Sequence, residues 1–311
     1  ARAGGVWEVA IWFGLLAGIG ASATFGPLVA DISHWFVRRR GLAMAIAISG
    51  SYVAGAIWPP VMQNLIDSDG WRGALGDIGL FALVTMLPLA MLLYRRPPEL
   101  ASGELAGEAL AARPLGFSRL TLQGLICCAG IGCCAAMSMP QVHIVPYVGD
   151  LDIAAARGAE MLALMLGFGV VSRLGSGWIS DRIGGLRTLL LGSVAQCLVL
   201  AAFMLAEELT TFYALSVAFG LAQGGIVPSY AMIVRRYFPA GEAGWRISLA
   251  LLFTVIGMAL GGWMAGALYD LTGSYTISFL NAIGFNLMNM AIAVLLLRRR
   301  GRGPGLSPAA A

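Results

Sequence analysis

Nine apolar segments, each about 20 residues long, dominate this 311-residue chain. A helix rises about 1.5 Å per residue, so a segment of this length crosses the roughly 30 Å hydrocarbon core of a bilayer. The segments are continuous apolar runs rather than the alternating runs of a membrane β-barrel. The sequence therefore predicts an all-α polytopic membrane helix bundle with nine transmembrane helices, at 7–30, 41–63, 74–94, 119–141, 158–180, 186–206, 210–234, 246–269 and 275–297.

The composition argues against a soluble protein. Charged residues make up only 12% of the chain and hydrophobic residues 59%, with a mean hydropathy of +0.81, whereas soluble domains carry about 25% charged residues. The formal net charge is +4, but the Arg residues are dispersed between apolar segments instead of forming one patch. This dispersion argues against nucleic acid as a partner and favours a lipid bilayer.

The basic residues follow the order of the predicted spans. All 20 are Arg, and sixteen of them fall in alternate connections, on one side of the membrane. By the positive-inside rule this side is cytoplasmic, so we expect a multi-pass protein of the cell (inner) membrane with a cytoplasmic C-terminus. The sixteen are Arg38, Arg39, Arg40, Arg95, Arg96, Arg113, Arg119, Arg182, Arg187, Arg235, Arg236, Arg246, Arg298, Arg299, Arg300 and Arg302.

The longest polar connection, residues 95–118, is rich in Pro, Gly, Ala and Glu and has no transmembrane pattern. Such a composition is typical of a linker. The sequence therefore predicts four parts: the remainder of an N-terminal bundle with three helices (1–94), a cytoplasmic linker (95–118), a C-terminal six-helix bundle (119–300) and a cytoplasmic tail (301–311).

Two stretches on either side of this linker can be laid over each other as a repeat. Residues 35–73 and 237–275 both open with an aromatic pair, and Gly55 and Gly257 follow at the same distance from those pairs. Chance similarity between two Gly-rich apolar helices is the alternative. A same-direction repeat is typical of transporters built from two parallel halves.

The sharpest motif is GWISDRIGGLR, from Gly177 to Arg187, where one predicted span ends and the next begins. So short a connection needs Gly where the backbone is tight. Asp181 lies at the predicted cytoplasmic surface and needs a partner, for which a helix N-terminus or an Arg of another loop would serve. Such a contact can hold two helices together in one conformation and release them in another.

This segment resembles the G-x-x-x-D-R-x-G-x-R loop signature of the major facilitator superfamily, through Gly177, Asp181, Arg182 and Gly184. With the alternating charges and the central linker, the resemblance covers essentially the whole chain. It implies a fold of twelve helices in two halves, in which the nine spans look like helices 4 to 12. We therefore expect three more helices and a first-half copy of the loop to precede this sequence.

A narrower resemblance is to the monocarboxylate transporters and their bacterial oxalate/formate antiporter relatives. It is carried by residues 35–55, by Trp71 and Arg72, and by His143 to Tyr147 with Asp150. The resemblance implies that Arg173 binds the carboxylate of the substrate. Some members of that family have an acidic residue for proton coupling four positions earlier, where this chain has Gly169, and this departure argues against that form of coupling.

Arg173 also stands out on physical grounds. It precedes Asp181 by eight residues, about 12 Å along a helix, which places it near the middle of the membrane. A charge there costs about 2.5–3.5 kcal/mol on insertion scales and usually faces a bundle interior or an aqueous cavity. The guanidinium fork matches a carboxylate. Snorkelling towards the cytoplasm and a structural pair with another helix are the alternatives.

The expected substrate-binding residues are Arg173, His143, Tyr147, Tyr52 and Gln223. His143 and Tyr147 lie just beyond the predicted span 119–141, where His143 could gate, accept a proton or merely contact water. For Tyr52 and Gln223, hydrogen bonding across helices is the alternative role. The expected gating residues are Asp181, Arg182, Arg187, Gly177 and Gly184, with Asp31 and Arg39 on the side of the first half.

These observations favour a secondary active transporter of a small organic anion, a monocarboxylate or a related carboxylate. We expect alternating access coupled to proton symport or anion exchange, with the anion, the coupling ion and the bilayer as partners. A non-transporting membrane sensor or assembly protein with the same fold is the alternative. No Walker loop and no metal-ligand spacing of Cys or His occurs, so the sequence predicts no enzyme activity, no cofactor and no metal.

Overall fold

The computed structural model describes residues 5–12, 15, 28–29, 31–32, 35–36, 39–92 and 114–300. Within these residues the backbone forms helices and turns and no strand, which confirms the predicted all-α fold class. Three predictions fall wholly or mostly outside the described residues: the first span (7–30), the linker (95–118) and the tail (301–311). The division of the chain into four parts stays a prediction.

The described helices are α1 (Val6–Trp12), α2 (Arg40–Leu92), α3 (Arg119–Gly149), α4 (Ala155–Ile183), α5 (Gly185–Phe203), α6 (Leu209–Gln223), α7 (Ile226–Tyr237), α8 (Ala243–Thr272) and α9 (Tyr275–Arg300). Short 3₁₀ turns occupy Pro114–Gly116 and Ala240–Glu242.

Seven described segments are long and apolar enough to cross a membrane, and Gly41–Gly55 is a shorter apolar helix. Together they correspond to the eight predicted spans that follow the first. The seven are Leu65–Met91, Arg119–Gly149, Ala156–Ile183, Gly185–Phe203, Leu209–Tyr237, Ala243–Thr272 and Tyr275–Arg300.

Helix α2 covers two predicted spans, 41–63 and 74–94, and Gly70 lies in the segment between them. This residue has φ 71° and ψ 168°, far from helical values. Glycine reaches this conformation without a Cβ clash, so the chain can turn between the two spans within a single residue.

The predicted span 210–234 is not one continuous helix. Helix α6 ends at Gln223 and α7 begins at Ile226, with Gly224 and Gly225 between them. A Cβ atom on Gly224 would lie 2.5 Å from the carbonyl oxygen of Gly169, so glycine lets the break approach α4 closely. An unbroken apolar pattern does not reveal such a break.

Helix α3 continues to Gly149, beyond the predicted end at residue 141. The prediction that His143 and Tyr147 lie outside the helix is therefore wrong. Pro140 and Pro146 are inside α3 without ending it, as membrane helices tolerate Pro where neighbouring groups satisfy the freed carbonyls.

Two helices organise the packing of the described chain. Helix α3 packs mainly on α8 and α9, and α4 lies between α2 and α6. Small residues permit this closeness: a Cβ on Gly257 of α8 would lie 2.6 Å from the carbonyl oxygen of Ile131 in α3. The position of α4 places Arg173 where α2 of the predicted first half meets the second.

Candidate functional site

One face of α4 is turned towards α2. Gly169, Arg173 and Gly177 are four residues apart, so they share this face. A Cβ on Gly169 would lie 2.9 Å from Cε2 of Tyr52, and a Cβ on Gly177 would lie 2.7 Å from Cβ of Ala45. The two glycines therefore let α2 approach α4 on either side of Arg173, which is only 5% exposed.

The Arg173 guanidinium is held by one turn of α2. Its Nη1 donates to the carbonyl oxygen of Ile48 at 2.8 Å and to Oγ of Ser51 at 3.1 Å. Its Cζ lies 3.7 Å from the ring centroid of Tyr52, a cation–π contact. Nε is buried without a hydrogen-bond partner, and no carboxylate of the described residues pairs with this guanidinium.

Tyr52 fills the space next to Gly169. Any side chain at position 169 would collide with the ring, whose Cε2 and Cδ2 lie 2.9 and 3.2 Å from the Cβ position. Some monocarboxylate transporters have an acidic side chain at this position. Here the aromatic ring of Tyr52, from α2, occupies the space that such a side chain would need. The Tyr52 ring and Arg173 form one unit at the junction of the two helices.

Gln223 lies at the C-terminal end of α6, which packs against α4. Its Nε2 donates to the carbonyl oxygen of Met165 at 3.4 Å, and its Oε1 accepts from Nε2 of Gln141 at 2.6 Å. A Cβ on the next residue, Gly224, would lie 2.8 Å from the backbone nitrogen of Arg173. The structure thus brings Tyr52 into contact with Arg173 and places Gln223 next to Gly224, the residue that packs against the Arg173 backbone. Gln141 was missed, although an amide in an apolar helix is a usable signal.

His143 faces the interior of the C-terminal helices instead. Its Nε2 lies 2.8 Å from the carbonyl oxygen of Gly262, and its Nδ1 lies 3.3 Å from the hydroxyl oxygen of Tyr275. A carbonyl can only accept, so Nε2 carries the proton and Nδ1 is free to accept from Tyr275. These contacts join α3 to α8 and α9, away from Arg173, and a substrate role for His143 stays a prediction.

Tyr147 belongs to an aromatic cluster one turn further along α3. Its hydroxyl donates to the carbonyl oxygen of Phe203 at 3.1 Å, and its ring contacts Phe212, Tyr275 and Phe279 edge-on. Edge-to-face ring contacts stabilise a packed core. The structure does not bring Tyr147 to Arg173, and its expected substrate role also stays a prediction.

Asp181 lies at the first peptide units of α2. Its Oδ1 accepts from the backbone nitrogen of Gly41 at 2.6 Å, and its Oδ2 accepts from that of Leu42 at 3.2 Å. Of the two partners that the sequence leaves open, the structure thus places a helix N-terminus here. A carboxylate at this position satisfies unpaired N–H groups and interacts favourably with the helix dipole.

The residues around Asp181 shape this contact. A Cβ on Gly177 would lie 2.8 Å from the carbonyl oxygen of Gly41, so the two helices meet backbone to backbone. Gly184 has φ 85°, which glycine accommodates, and it separates α4 from α5. Arg182 lies over the ring of Trp178, with its Cζ 3.2 Å from the centroid.

Among the described residues, no hydrogen bond or ion pair joins Arg187, Arg39 or Asp31 to Asp181, whose described hydrogen bonds go to two backbone amides of α2. Arg187 and Arg39 are exposed. Asp31 accepts a hydrogen bond from Nε1 of Trp35 at 3.1 Å, within its own segment. A gating role for these three residues stays a prediction.

The sequence as a whole matches a known family profile. The profile described as Major Facilitator Superfamily matches residues 2–210 and 177–311. The chain belongs to the major facilitator superfamily. This membership confirms the family resemblance seen in the loop from Gly177 to Arg187.

Similar proteins include several transporters of this superfamily. Monocarboxylate transporter 13 of Bos taurus is 31% identical over 290 residues, which cover 91% of this chain and 66% of that protein. Monocarboxylate transporter 11 of Mus musculus is 29% identical, covering 92% and 66%, and the MFS-type transporter pynF of Aspergillus niger is 25% identical, covering 92% and 65%. The chain thus spans just under two thirds of the length of these relatives.

A solved structure has the same fold. The superfamily transporter FucP, in an outward conformation, superposes with a TM-score of 0.65 at 14% sequence identity, covering 90% of this chain and 73% of FucP. The superposition confirms a polytopic helical bundle of the major facilitator type.

A second charged cluster of this chain joins α8 to α3, at the same end of the bundle as Asp181. Arg246 is 7% exposed; its Nη2 pairs with Glu242 at 2.7 Å, and its Nη1 lies 3.4 Å from Oε1 of Gln123. Arg119 pairs with the same Glu242 at 3.4 Å. From the sequence, Arg119 and Arg246 served only as topology markers, because nothing in the pattern shows which carboxylate they meet.

Proposed function

We propose that this protein is a secondary active transporter of a small organic anion, a monocarboxylate or a related carboxylate, which works by alternating access. The observation that carries the proposal is the burial of the Arg173 side chain together with its missing hydrogen-bond partner. Its guanidinium is 5% exposed, has a buried Nε that lacks a partner, and lies where α4 packs on α2.

The physical argument starts from the cost of a buried charge. Neutral partners such as the Ile48 carbonyl and the Ser51 hydroxyl solvate Arg173 but do not neutralise it. Leaving one member of a buried charge pair without its partner costs about 3–5 kcal/mol. An incoming carboxylate would supply the missing charge and could form two parallel hydrogen bonds with the guanidinium.

A structural salt bridge of Arg173 would need a carboxylate of the same protein. The contacts of Arg173 in the described part of the chain include none. This favours a ligand anion over the alternative of a sensor or assembly protein that retains the fold. The similarity to monocarboxylate transporters 13 and 11 supports the same substrate class.

The coupling ion is either a proton or a counter-anion. Gly169 and the ring of Tyr52 leave no acidic side chain beside Arg173 within the described contacts. A proton would therefore have to bind at another group, whereas anion exchange needs only a second carboxylate at the same guanidinium. We further propose that the protein lies in the cell membrane with its C-terminus in the cytoplasm, as the Arg distribution predicts.

The proposal is tested by uptake into proteoliposomes that contain the full-length gene product. We expect radiolabelled pyruvate to enter, and unlabelled lactate, acetate or oxalate to compete, while the neutral analogue lactamide does not. Loading the vesicles with pyruvate or imposing a pH gradient separates exchange from proton symport. Competition by lactamide as effective as that by lactate would contradict the carboxylate site.

The contact between Asp181 and α2 is proposed as the cytoplasmic gate. Replacing Asp181 by Asn removes the negative charge from the N-terminus of α2 but keeps the shape of the side chain. A helix N-cap is worth about 1 kcal/mol, roughly fivefold in a two-state equilibrium. Because each transport cycle must re-form the closed gate, we expect a several-fold lower maximal rate of pyruvate uptake.

The matched control for Asp181→Asn is Asp152→Asn. Asp152 is exposed and has φ 58°, a conformation that Asn tolerates as well as Asp. This variant should keep the wild-type rate. An Asp181→Asn protein with a wild-type maximal rate would show that the contact does not gate the cycle.

A further inference from the structure

One turn of α2, from Ile48 to Tyr52, provides the hydrogen-bond and ring contacts that the Arg173 guanidinium makes with the described residues. Nη1 donates to both the Ile48 carbonyl and Oγ of Ser51. The Ser51 hydroxyl in turn donates to the same carbonyl at 2.9 Å. The three groups form a closed triangle that fixes the Nη1 corner of the guanidinium, and the Tyr52 ring covers one of its faces.

This arrangement leaves one edge of the guanidinium for a ligand. Both hydrogen bonds that Arg173 makes with the described residues leave from Nη1, while Nε is buried without a partner. The edge formed by Nε and Nη2 carries two parallel N–H groups, which is the geometry that a carboxylate accepts in a bidentate pair. Fixing Nη1 therefore orients the opposite edge before any anion arrives.

We propose that Ser51 is a positioning residue, which orients Arg173 for the anion only while α2 is packed on α4. The proposal rests on the proposed function of Arg173 as the anion site. The same packing includes the contact of Asp181 with Gly41 and Leu42, at the predicted cytoplasmic end of both helices. The oriented guanidinium thus exists in the state whose cytoplasmic side is closed.

A sidedness of binding follows from this placement. An anion that enters from the extracellular side meets a guanidinium that is already oriented, so little binding free energy is lost in ordering it. When the two helices separate at the cytoplasmic end, Nη1 loses its partners on α2 and the guanidinium is free to reorient. The anion is then held less tightly, which favours release to the cytoplasm.

The test compares pyruvate uptake from the two faces of the membrane, using right-side-out and inside-out vesicles with the full-length protein. Ser51→Ala should raise the half-saturation constant at the extracellular face about three- to tenfold, the range of one hydrogen bond. At the cytoplasmic face this constant should change less, and the maximal rate should remain comparable. Ser51→Thr retains the hydroxyl and should restore the wild-type constant.

Ser49→Ala is the matched control. Ser49 lies two residues earlier in α2, and its hydroxyl donates to the carbonyl oxygen of Ala45 at 2.7 Å rather than contacting Arg173. We expect wild-type constants at both faces. Equal increases at both faces after Ser51→Ala, no increase at all, or failure of Ser51→Thr to restore binding would each overturn the positioning role.

A second measurement separates this inference from the proposed function, because it needs no ligand. Ser51→Ala should lower the thermal unfolding midpoint of the detergent-solubilised protein, but not when Arg173→Leu is already present. Equal shifts in both backgrounds would show that Ser51 does not act through Arg173. If this coupling is found but no carboxylate is transported, the proposed function fails and the Ser51–Arg173 contact stands.

Discussion

Arg173→Ala and Arg173→Lys are both expected to lower pyruvate uptake by at least about a hundredfold, the effect of losing one partner of a buried charge pair. Ala removes the cation. Lys keeps a charge but has no planar fork, so it cannot donate to Ile48 and Ser51 on one side and form a bidentate pair on the other. The measurement is the initial uptake rate into proteoliposomes, normalised to the amount of reconstituted protein.

Arg157→Ala is the control for these variants. Arg157 lies on the same helix, α4, but its side chain is 54% exposed and pairs with Glu160 at 3.1 Å. Exposed ion pairs contribute about 0–1 kcal/mol, so this variant should transport nearly as well as wild type. Arg173 variants that fold and transport pyruvate at the wild-type rate would remove the basis of the anion site.

Arg173 could be found from the sequence because its surroundings are apolar, and Asp181 because it lies in a charged loop motif at the end of the same span. A charge in such a run needs a reason, and its distance from the end of the span gives its depth in the membrane. The sequence also narrowed the partner of Asp181 to two kinds of group. The choice of the α2 N-terminus depends on where two helices cross, which no local pattern encodes.

The surroundings of Arg173 were harder to predict. Tyr52 and Gln223 were candidates, but so were His143, which contacts α8 and α9, and Tyr147, which contacts α5, α6 and α9. All four are polar residues in or beside apolar spans, and composition does not tell which way each one faces. Rotation of a helix about its axis is set by packing, as in the contact of Gly169 with the Tyr52 ring.

The break between α6 and α7 was missed for a related reason. Gly224 and Gly225 sit in a continuous apolar run, and Gly is common in membrane helices as a packing residue. Their effect appears only when α4 is in place, because Gly224 brings the break against Gly169 and Arg173, and Gly225 brings it against Ser176. Gly224 and Gly225 do not stand out in the sequence, but they set the distance between α6 and the part of α4 that carries Arg173.

Gly224→Ala is accordingly expected to disrupt the site from the side opposite α2. The added Cβ would lie 2.5 Å from the carbonyl oxygen of Gly169 and 2.8 Å from the backbone nitrogen of Arg173. Backbone atoms cannot rotate away as a side chain can, so α6 must move off α4. Overpacking of this kind costs about 1–3 kcal/mol, and we expect a lower thermal unfolding midpoint together with a large loss of pyruvate uptake.

Gly167→Ala separates this close contact from the general effect of replacing glycine in a membrane helix. Gly167 lies in α4 two residues before Gly169, and a Cβ there would meet no other residue within 4 Å. Because Ala is a better helix former than Gly, this variant should unfold at or above the wild-type midpoint and keep its uptake. If Gly224→Ala behaves in the same way, α6 does not set the geometry of Arg173. If both variants lose uptake while remaining folded, the close contact of Gly224 with α4 is not the cause that separates them, and the packing explanation fails.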